Sequence, residues 1–214
     1  METLTELGTK HNTDKASWHK FTEVYDKCFT PIRDNPVKLL EIGIFLGASL
    51  RMWEEYFQNG IIYGIDNCTI VSSDQLRELR TKRIKPIVAD QLNRDHLKQV
   101  ADVIGEMDII IDDGLHFQEH QQVSFGYLFP YLKSGGFYVI EDLCPRNHAS
   151  GWGIKDTINF TDITTNILEG FKENRKIVSQ YMLTSEKEYL DQHINTIDIA
   201  YINDQSITSV IIKK

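Results

Sequence analysis

The sequence has little that would cross-link it or bind a phosphate backbone. Only three cysteines occur among 214 residues, and their wide spacing, at Cys28, Cys68 and Cys144, suggests neither a disulfide framework nor a zinc knuckle. Positive charge is in deficit, with 23 lysines and arginines against 31 aspartates and glutamates, so the formal net charge is −8. This balance argues against a nucleic-acid partner, because such binding usually needs a basic face.

Long apolar runs are missing as well. The first residues are polar and lack the apolar run of a signal peptide, and no stretch reaches the roughly 20 apolar residues that cross a bilayer. We therefore expect a cytoplasmic protein with no membrane partner, and a homo-oligomer stays open. The hydrophobic content of 41% is ordinary, and the length allows one domain with a full core.

Short apolar runs alternate with amphipathic or polar segments along the chain. Five runs have the near-continuous hydrophobicity of strands buried on both faces, at 37–43, 61–65, 84–88, 107–111 and 137–140. Helices are predicted between and around them, at 18–29, 48–57, 73–83, 94–104 and 117–132. The Ser-Gly-Gly sequence at 134–136 is interpreted as the stop signal of the last helix.

This alternation predicts an α/β fold with a mostly parallel sheet and helices on both faces. Near the end of the sequence, two apolar runs at 197–202 and 207–212 flank a short polar turn. Such a pattern predicts a β-hairpin. The hairpin would add an antiparallel edge to the parallel strands and bring the sheet to seven strands.

Carboxylates stand at the end of every strand of the predicted parallel sheet. They are Glu41, Asp66, Asp90, the pair Asp112 and Asp113, and the pair Glu141 and Asp142. Open α/β sheets bind their ligands outside the carboxyl ends of the strands. We therefore expect a strongly acidic site, which suits a metal ion, a cationic ligand or the hydroxyl groups of a sugar.

The turn after the first strand contains Gly43 and Gly47 in the spacing G-x-x-x-G. The G-x-G-x-x-G spacing of a dinucleotide site is missing, which argues against a nicotinamide dehydrogenase. Asp66, at the end of the next strand, could accept hydrogen bonds from both hydroxyls of a ribose. Together, E-x-G-x-x-x-G from Glu41, then Asp66, then Asp90-Gln91 resemble the cofactor signature of class I S-adenosylmethionine-dependent methyltransferases.

The resemblance implies a Rossmann-like class I methyltransferase fold that binds S-adenosylmethionine. The loop from Gly43 to Gly47 would pass beside the methionine part, Asp66 would hold the ribose, and Asp90 and Gln91 would flank the adenine. The full set of expected cofactor-binding residues is Lys15, Glu41, Gly43, Gly47, Ser49, Asp66, Asp90, Gln91 and Asp112.

Two further segments, I-I-I-D-D-G-L-H at 109–116 and Y-V-I-E-D-L at 138–143, are more specific. They resemble the metal-dependent sugar O-methyltransferases of macrolide biosynthesis, of the mycinamicin and macrocin type. Thr13-Asp14-Lys15, His19 and Tyr25 add to the resemblance, which runs from about residue 8 to residue 143. It implies a catalytic set of Asp113, His116, Glu141 and Asp142.

The chemistry of that set is coherent. Mg²⁺ and similar hard cations prefer carboxylate oxygens, so Asp113, Glu141 and Asp142 would hold the metal. Coordination would acidify a bound hydroxyl, as it does for water, and His116 would remove the proton. Neighbouring residues of a strand point to opposite faces, so Glu141 and Asp142 can share one metal only if the chain turns there.

These observations predict a methyltransferase that uses S-adenosylmethionine and a divalent metal to methylate a hydroxyl of a sugar, a glycosylated small molecule or a polysaccharide unit. A catechol-like phenol O-methyltransferase and a non-catalytic Rossmann-like scaffold are the alternatives. We expect one domain, 1–214. Its parts would be an N-terminal helical cap (1–36), a cofactor and metal core (37–143), a substrate loop and helix (144–196) and a terminal hairpin (197–214).

Overall fold

A computed structural model describes residues 1–144, 162–203 and 205–214. The strands of its single seven-stranded sheet are β1 (Lys38–Ile42), β2 (Ile61–Asp66), β3 (Ile84–Val88), β4 (Met107–Asp112), β5 (Leu132–Ile140), β6 (Ile194–Asn203) and β7 (Ser206–Lys213). Their order across the sheet is β3-β2-β1-β4-β5-β7-β6. Neighbours among β1 to β5 are parallel, whereas β7 is antiparallel to both β5 and β6. The predicted seven-stranded, mostly parallel sheet with a terminal antiparallel hairpin is confirmed.

Helices cover both faces of this sheet. The α-helices within the described ranges are α1 (Leu4–Lys10), α2 (Asp14–Ser17), α3 (Thr22–Phe29), α4 (Ala48–Tyr56), α5 (Ser73–Glu78), α6 (Arg94–Ile104), α7 (Gln118–Leu128), α8 (Thr164–Asn174) and α9 (Thr184–His193). Consecutive strand residues point to opposite faces, so Leu39 and Leu40 of β1 belong to different apolar clusters. Among these helices, none is long and apolar enough to cross a bilayer.

Local polar contacts explain where several helices begin. The Thr3 hydroxyl accepts the backbone N–H of Glu6 while the Glu6 carboxylate accepts that of Thr3, so α1 starts with a capping box. Asn93 caps α6 by accepting from the backbone N–H groups of Asp95 and His96. Each of these contacts satisfies backbone donors that the first turn of a helix leaves without partners.

Some predicted boundaries are wrong. The helix predicted at 18–29 begins only at Thr22, because Lys20 has a left-handed backbone (φ 57°), and Trp18, assigned to the apolar face, is 64% exposed. The helix predicted at 73–83 ends at Glu78. The Ser-Gly-Gly sequence at 134–136, interpreted as a stop signal, lies inside β5.

The N-terminal region and the segment at 144–196 contain helices that the sequence pattern does not resolve. The N-terminal region contains α1 and α2, two short helices that the hydrophobic periodicity did not reveal. Of the predicted substrate segment at 144–196, residues 145–161 lie outside the described residues, and most of the remainder forms α8 and α9. The division of the chain into functional parts stays a prediction.

Candidate cofactor and metal site

A cavity of about 410 Å³ opens at the carboxyl ends of the parallel strands. Its walls come from the loops after β1, β2 and β4, from the residues after β3, and from the N-terminal residues Asn12 to Asp14. Four of the residues predicted to bind the cofactor line it, namely Gly43, Ser49, Asp66 and Gln91. Small-molecule sites commonly have about this size and lie at this edge of an α/β sheet.

Glycine is required at two positions of the loop after β1. Gly43 has a φ of 89°, and a Cβ there would lie 2.1 Å from the backbone oxygen of Asp113. Gly47 has a φ of 76° and precedes α4, where a Cβ would lie 2.6 Å from the side chain of Leu79. Both positions therefore exclude larger residues. Gly43 lines the cavity, whereas Gly47 serves the turn and lies outside the lining.

The Asp66 carboxylate connects two loops of the cavity wall by hydrogen bonds. Its Oδ2 accepts the backbone N–H groups of Ile44 (3.1 Å) and Phe45 (3.2 Å), and its Oδ1 accepts that of Cys68 (2.8 Å). A carboxylate has about four lone-pair positions, so these three bonds leave room for a further donor. Asp66 thus fixes the shape of two loops and still offers an acceptor to a ligand.

The buried carboxylate of Asp112, which lies outside the cavity lining, orients the side chain of Gln91. The Gln91 amide donates to Asp112 at 3.1 Å, and the Gln91 carbonyl oxygen accepts the backbone N–H of Leu115 at 3.2 Å. The Ser124 hydroxyl also donates to Asp112. Burial raises the pKa of Asp112, and these hydrogen bonds oppose the rise. Asp112 therefore orients Gln91 and does not itself line the cavity.

Other members of the predicted cofactor set lie outside the lining of the cavity. Besides Gly47 and Asp112, they are Lys15, Glu41 and Asp90. The Asp90 carboxylate accepts the backbone N–H of Leu92 at 2.9 Å. The cavity also has an apolar rim that the sequence interpretation missed, with Phe45 57% and Leu46 56% exposed. These residues lie in a loop, where no hydrophobic periodicity marks them.

Lys15 lies at the centre of a buried cluster of acids. Its side chain is only 1% exposed, and its Nζ lies 3.2 Å from Glu41, 2.7 Å from Glu141 and in direct contact with Asp113. Burial alone would lower the pKa of Lys15, but the three surrounding carboxylates raise it well above 10.5. The ammonium therefore neutralises acids that come from three different strand ends.

Two of the acids around Lys15 are themselves fully buried. Burial raises the pKa of Glu41 to about 7, although Lys15 and the Ser49 hydroxyl (2.8 Å) favour its charged form. Burial also raises the pKa of Glu141 well above 4.5. The Glu141 oxygens accept from Lys15 at 2.7 Å and from the Tyr25 hydroxyl at 2.9 Å. Glu141 is thus engaged with the N-terminal segment.

A second cluster, beside the cavity, consists of Asp113, His116 and Asp142. Each contributes one potential ligand atom, and these atoms all lie within 4.8 Å of one another. The His116 Nε2 lies 3.5 Å from Asp142 and 4.0 Å from Asp113. Both His116 (φ 58°) and Asp142 (φ 47°) have left-handed backbones, so the chain turns sharply at each. We refer to these three residues as the metal cluster.

The donor set of the metal cluster fits a divalent cation. Two carboxylates and an imidazole are suitable ligands for small divalent metals. Oδ1 of Asp142 is buried and, within the described part of the chain, makes no hydrogen bond. Burial raises the pKa of Asp142, and the neighbouring His116 lowers it. Glu141, predicted as a third carboxylate ligand, is not part of this group.

Several known proteins resemble the chain, although no family model matches it. It is 42% identical over 147 residues to the 8-demethyl-8-alpha-L-rhamnosyl tetracenomycin-C 2'-O-methyltransferase of Streptomyces olivaceus, an alignment covering 65% of this chain and 37% of that protein. It is 43% identical over 148 residues to the demethylmacrocin O-methyltransferase of Streptomyces fradiae, covering 65% and 36% of the two chains. The chain therefore matches little more than a third of these relatives' length.

A solved structure extends the similarity to nearly the whole chain. The MycE methyltransferase of the mycinamycin pathway, in complex with Mg, SAH and mycinamycin VI, superposes with a TM-score of 0.80 and 30% sequence identity. The match covers 99% of this chain and 54% of that one. The predicted Rossmann-like methyltransferase fold and the predicted resemblance to macrolide sugar O-methyltransferases are both confirmed.

Proposed function

We propose that this chain transfers a methyl group from S-adenosylmethionine to a hydroxyl group of a sugar or a glycosylated small molecule, with the help of a divalent metal. One observation carries the proposal: Asp113 and His116 belong both to the lining of the cavity and to the metal cluster. A donor bound in the cavity would therefore lie beside a cation. MycE, which binds Mg and SAH, supports this interpretation.

The cavity would hold the cofactor. Asp66 has a free acceptor position for the ribose hydroxyls, and the fixed amide of Gln91 would contact the adenine. Gly43 would allow the methionine part to approach the backbone closely. Lys15 and Glu41 lie behind this wall, so we propose that they support the site and do not contact the cofactor.

The metal cluster would hold the cation through Asp113 and Asp142. A divalent cation such as Mg²⁺, held there, would make a nearby hydroxyl of the acceptor more acidic. Because Glu141 is engaged with Lys15 and Tyr25, we propose that it contributes by holding Lys15.

His116 would accept the proton of the hydroxyl at Nε2, the atom that faces Asp113 and Asp142. The acceptor oxygen then forms a bond to the methyl carbon while the carbon–sulfur bond of the donor breaks. The products are the methyl ether and S-adenosylhomocysteine, and the proton rests on His116. The protein contributes mainly by holding the three partners in line.

The acceptor class rests on the relatives. Their names give a rhamnosyl tetracenomycin and demethylmacrocin as the compounds that they methylate, and the first of these carries a sugar. A catechol would present paired oxygens in a similar way, so phenols belong in the test. A cytoplasmic location and the lack of nucleic-acid or membrane partners are also part of the proposal.

The test is methyl transfer by the purified protein, followed by mass spectrometry of the acceptor. Rhamnosylated aromatic polyketides, macrolide glycosides, free sugars and catechol would be offered with S-adenosylmethionine and Mg²⁺. We expect methylation of a glycoside that EDTA abolishes and Mg²⁺ restores. Methylation of catechol alone would contradict the sugar assignment, and cofactor binding without metal binding would indicate a scaffold.

Variants separate the role of the metal cluster from general effects. Asp142→Asn should abolish metal-dependent turnover, whereas Asp102→Asn, on the exposed surface of α6, is the matched control and should remain active. His116→Ala should keep metal affinity and lower turnover by roughly 10² to 10⁴ if His116 is the base. Loss of metal binding in the His116 variant would instead make it a ligand.

A further inference from the structure

We propose that His19 is a positioning residue of the reaction, which holds the carboxylate of Asp142 in place for the metal cluster. The inference rests on the proposed function, since it assumes that Asp142 binds a cation. His19 lies outside the lining of the cavity and outside the metal cluster, so it would act through Asp142 and not on the reacting atoms.

His19 is held firmly at its position between α2 and α3. Its side chain is 8% exposed, and its ring stacks on Phe21 with 4.9 Å between the centroids and 17° between the planes. Phe21 is fully buried in the core beneath. The left-handed residue Lys20 lies between the two rings in the sequence and turns the chain there. Burial and stacking therefore restrict the orientation of the imidazole.

The Nδ1 edge of this ring lies close to both Asp142 and Ser206. The His19 Nδ1 lies 3.4 Å from Oδ1 of Asp142 and 3.0 Å from the Ser206 hydroxyl. Ser206 is fully buried at the start of β7, and the backbone N–H of Leu143 donates to Ile207 at 2.9 Å. This backbone bond keeps Ser206 beside Asp142, so both groups reach the same nitrogen of His19.

Asp142 is thus bracketed by two imidazoles, one on each oxygen. His19 faces Oδ1 at 3.4 Å, and His116 faces Oδ2 at 3.5 Å. Since Asp142 also has a left-handed backbone (φ 47°), its conformation needs support from its surroundings. The contact between His19 and Oδ1 supplies part of that support. Residues that orient a metal ligand in this way commonly change metal affinity by about 10- to 100-fold.

Two substitutions distinguish this role from simple packing. His19→Phe keeps a flat ring on Phe21 but removes the nitrogen that faces Asp142. His19→Asn removes the ring but places an amide nitrogen near the position of Nδ1. The probe is Mn²⁺, whose free concentration is measured by electron paramagnetic resonance, so the readout does not depend on activity. Calorimetry with S-adenosylhomocysteine and metal-free thermal unfolding serve as controls for the cavity and for folding.

We expect His19→Phe to bind Mn²⁺ at least about tenfold more weakly while its affinity for S-adenosylhomocysteine is unchanged. His19→Asn should keep most of the Mn²⁺ affinity even if it unfolds at a lower temperature. Equal Mn²⁺ affinity in His19→Phe and the unsubstituted protein would overturn the inference, as would equal losses in both variants. If the unsubstituted protein binds no Mn²⁺, the metal part of the proposed function fails and this inference fails with it.

Discussion

Replacing Glu41 by glutamine should remove a pH dependence of stability that this acid imposes on the protein. Glu41 is fully buried between Lys15 and Ser49, and burial raises its pKa from 4.5 to about 7. The folded state therefore holds the proton more tightly than the unfolded state does. The contribution of this group to stability is complete below pH 4.5 and is lost as the pH rises through 7.

The magnitude follows from the pKa of Glu41 in the unfolded and folded states. One pKa unit corresponds to about 1.4 kcal/mol, so a pKa raised from 4.5 to about 7 corresponds to about 3 kcal/mol. Part of this stabilisation by protonated Glu41 is already lost at pH 5. Between pH 5 and pH 8, the unsubstituted protein should therefore lose about 2 to 3 kcal/mol of its free energy of unfolding through Glu41, and Glu41→Gln should not show this loss.

Urea unfolding followed by tryptophan fluorescence at pH 5, 6, 7 and 8 measures this difference, because Trp53 is fully buried and reports on the core. Glu106→Gln, at an exposed position, is the matched control for the chemical change. The reasoning would be refuted if the difference in free energy of unfolding between Glu41→Gln and the unsubstituted protein did not change with pH. It would also be refuted if Glu41→Gln became less stable relative to the unsubstituted protein as the pH rises.

Three further substitutions test the supports of the site. Gly114→Ala should weaken binding of S-adenosylhomocysteine in calorimetry, since a Cβ there would lie 1.8 Å from Oε1 of Gln91; equal affinity would contradict the role of that amide. Lys15→Met should lower the free energy of unfolding by about 3 to 5 kcal/mol, because it leaves Glu141 buried without its cation, and a loss under about 1 kcal/mol would argue against the ion pairs. Asp66→Asn should weaken S-adenosylhomocysteine binding by roughly tenfold through loss of a charged acceptor, and an unchanged calorimetric affinity would exclude the ribose contact.

The sheet could be predicted from the sequence because its strands are apolar on both faces. The run at 107–111, for example, is unambiguous, and the acids that follow each strand necessarily meet at one edge. The same reasoning placed Asp66, Gln91, Asp113 and His116 around one cavity, which is where they lie. The terminal hairpin could be predicted from the two apolar runs that flank a short polar turn.

The partners of each acid could not be predicted in this way. Whether Glu141 faces a metal or a lysine depends on Lys15 and Tyr25, which come from N-terminal helices more than 100 residues away in the sequence. The burial of Lys15 could not be predicted either, because lysines are normally exposed and tertiary packing alone buries this one. The resemblance includes His19 but does not give it a role, since that role depends on the distant Ser206 and Asp142.

A crystal structure of the protein grown with S-adenosylhomocysteine and Mn²⁺, with anomalous data at the manganese edge, tests the central claim most directly. We expect one strong anomalous peak among Asp113, His116 and Asp142, with the nucleoside in the adjoining cavity and its ribose on Asp66. A peak elsewhere, or a nucleoside bound away from this cavity, would contradict the account.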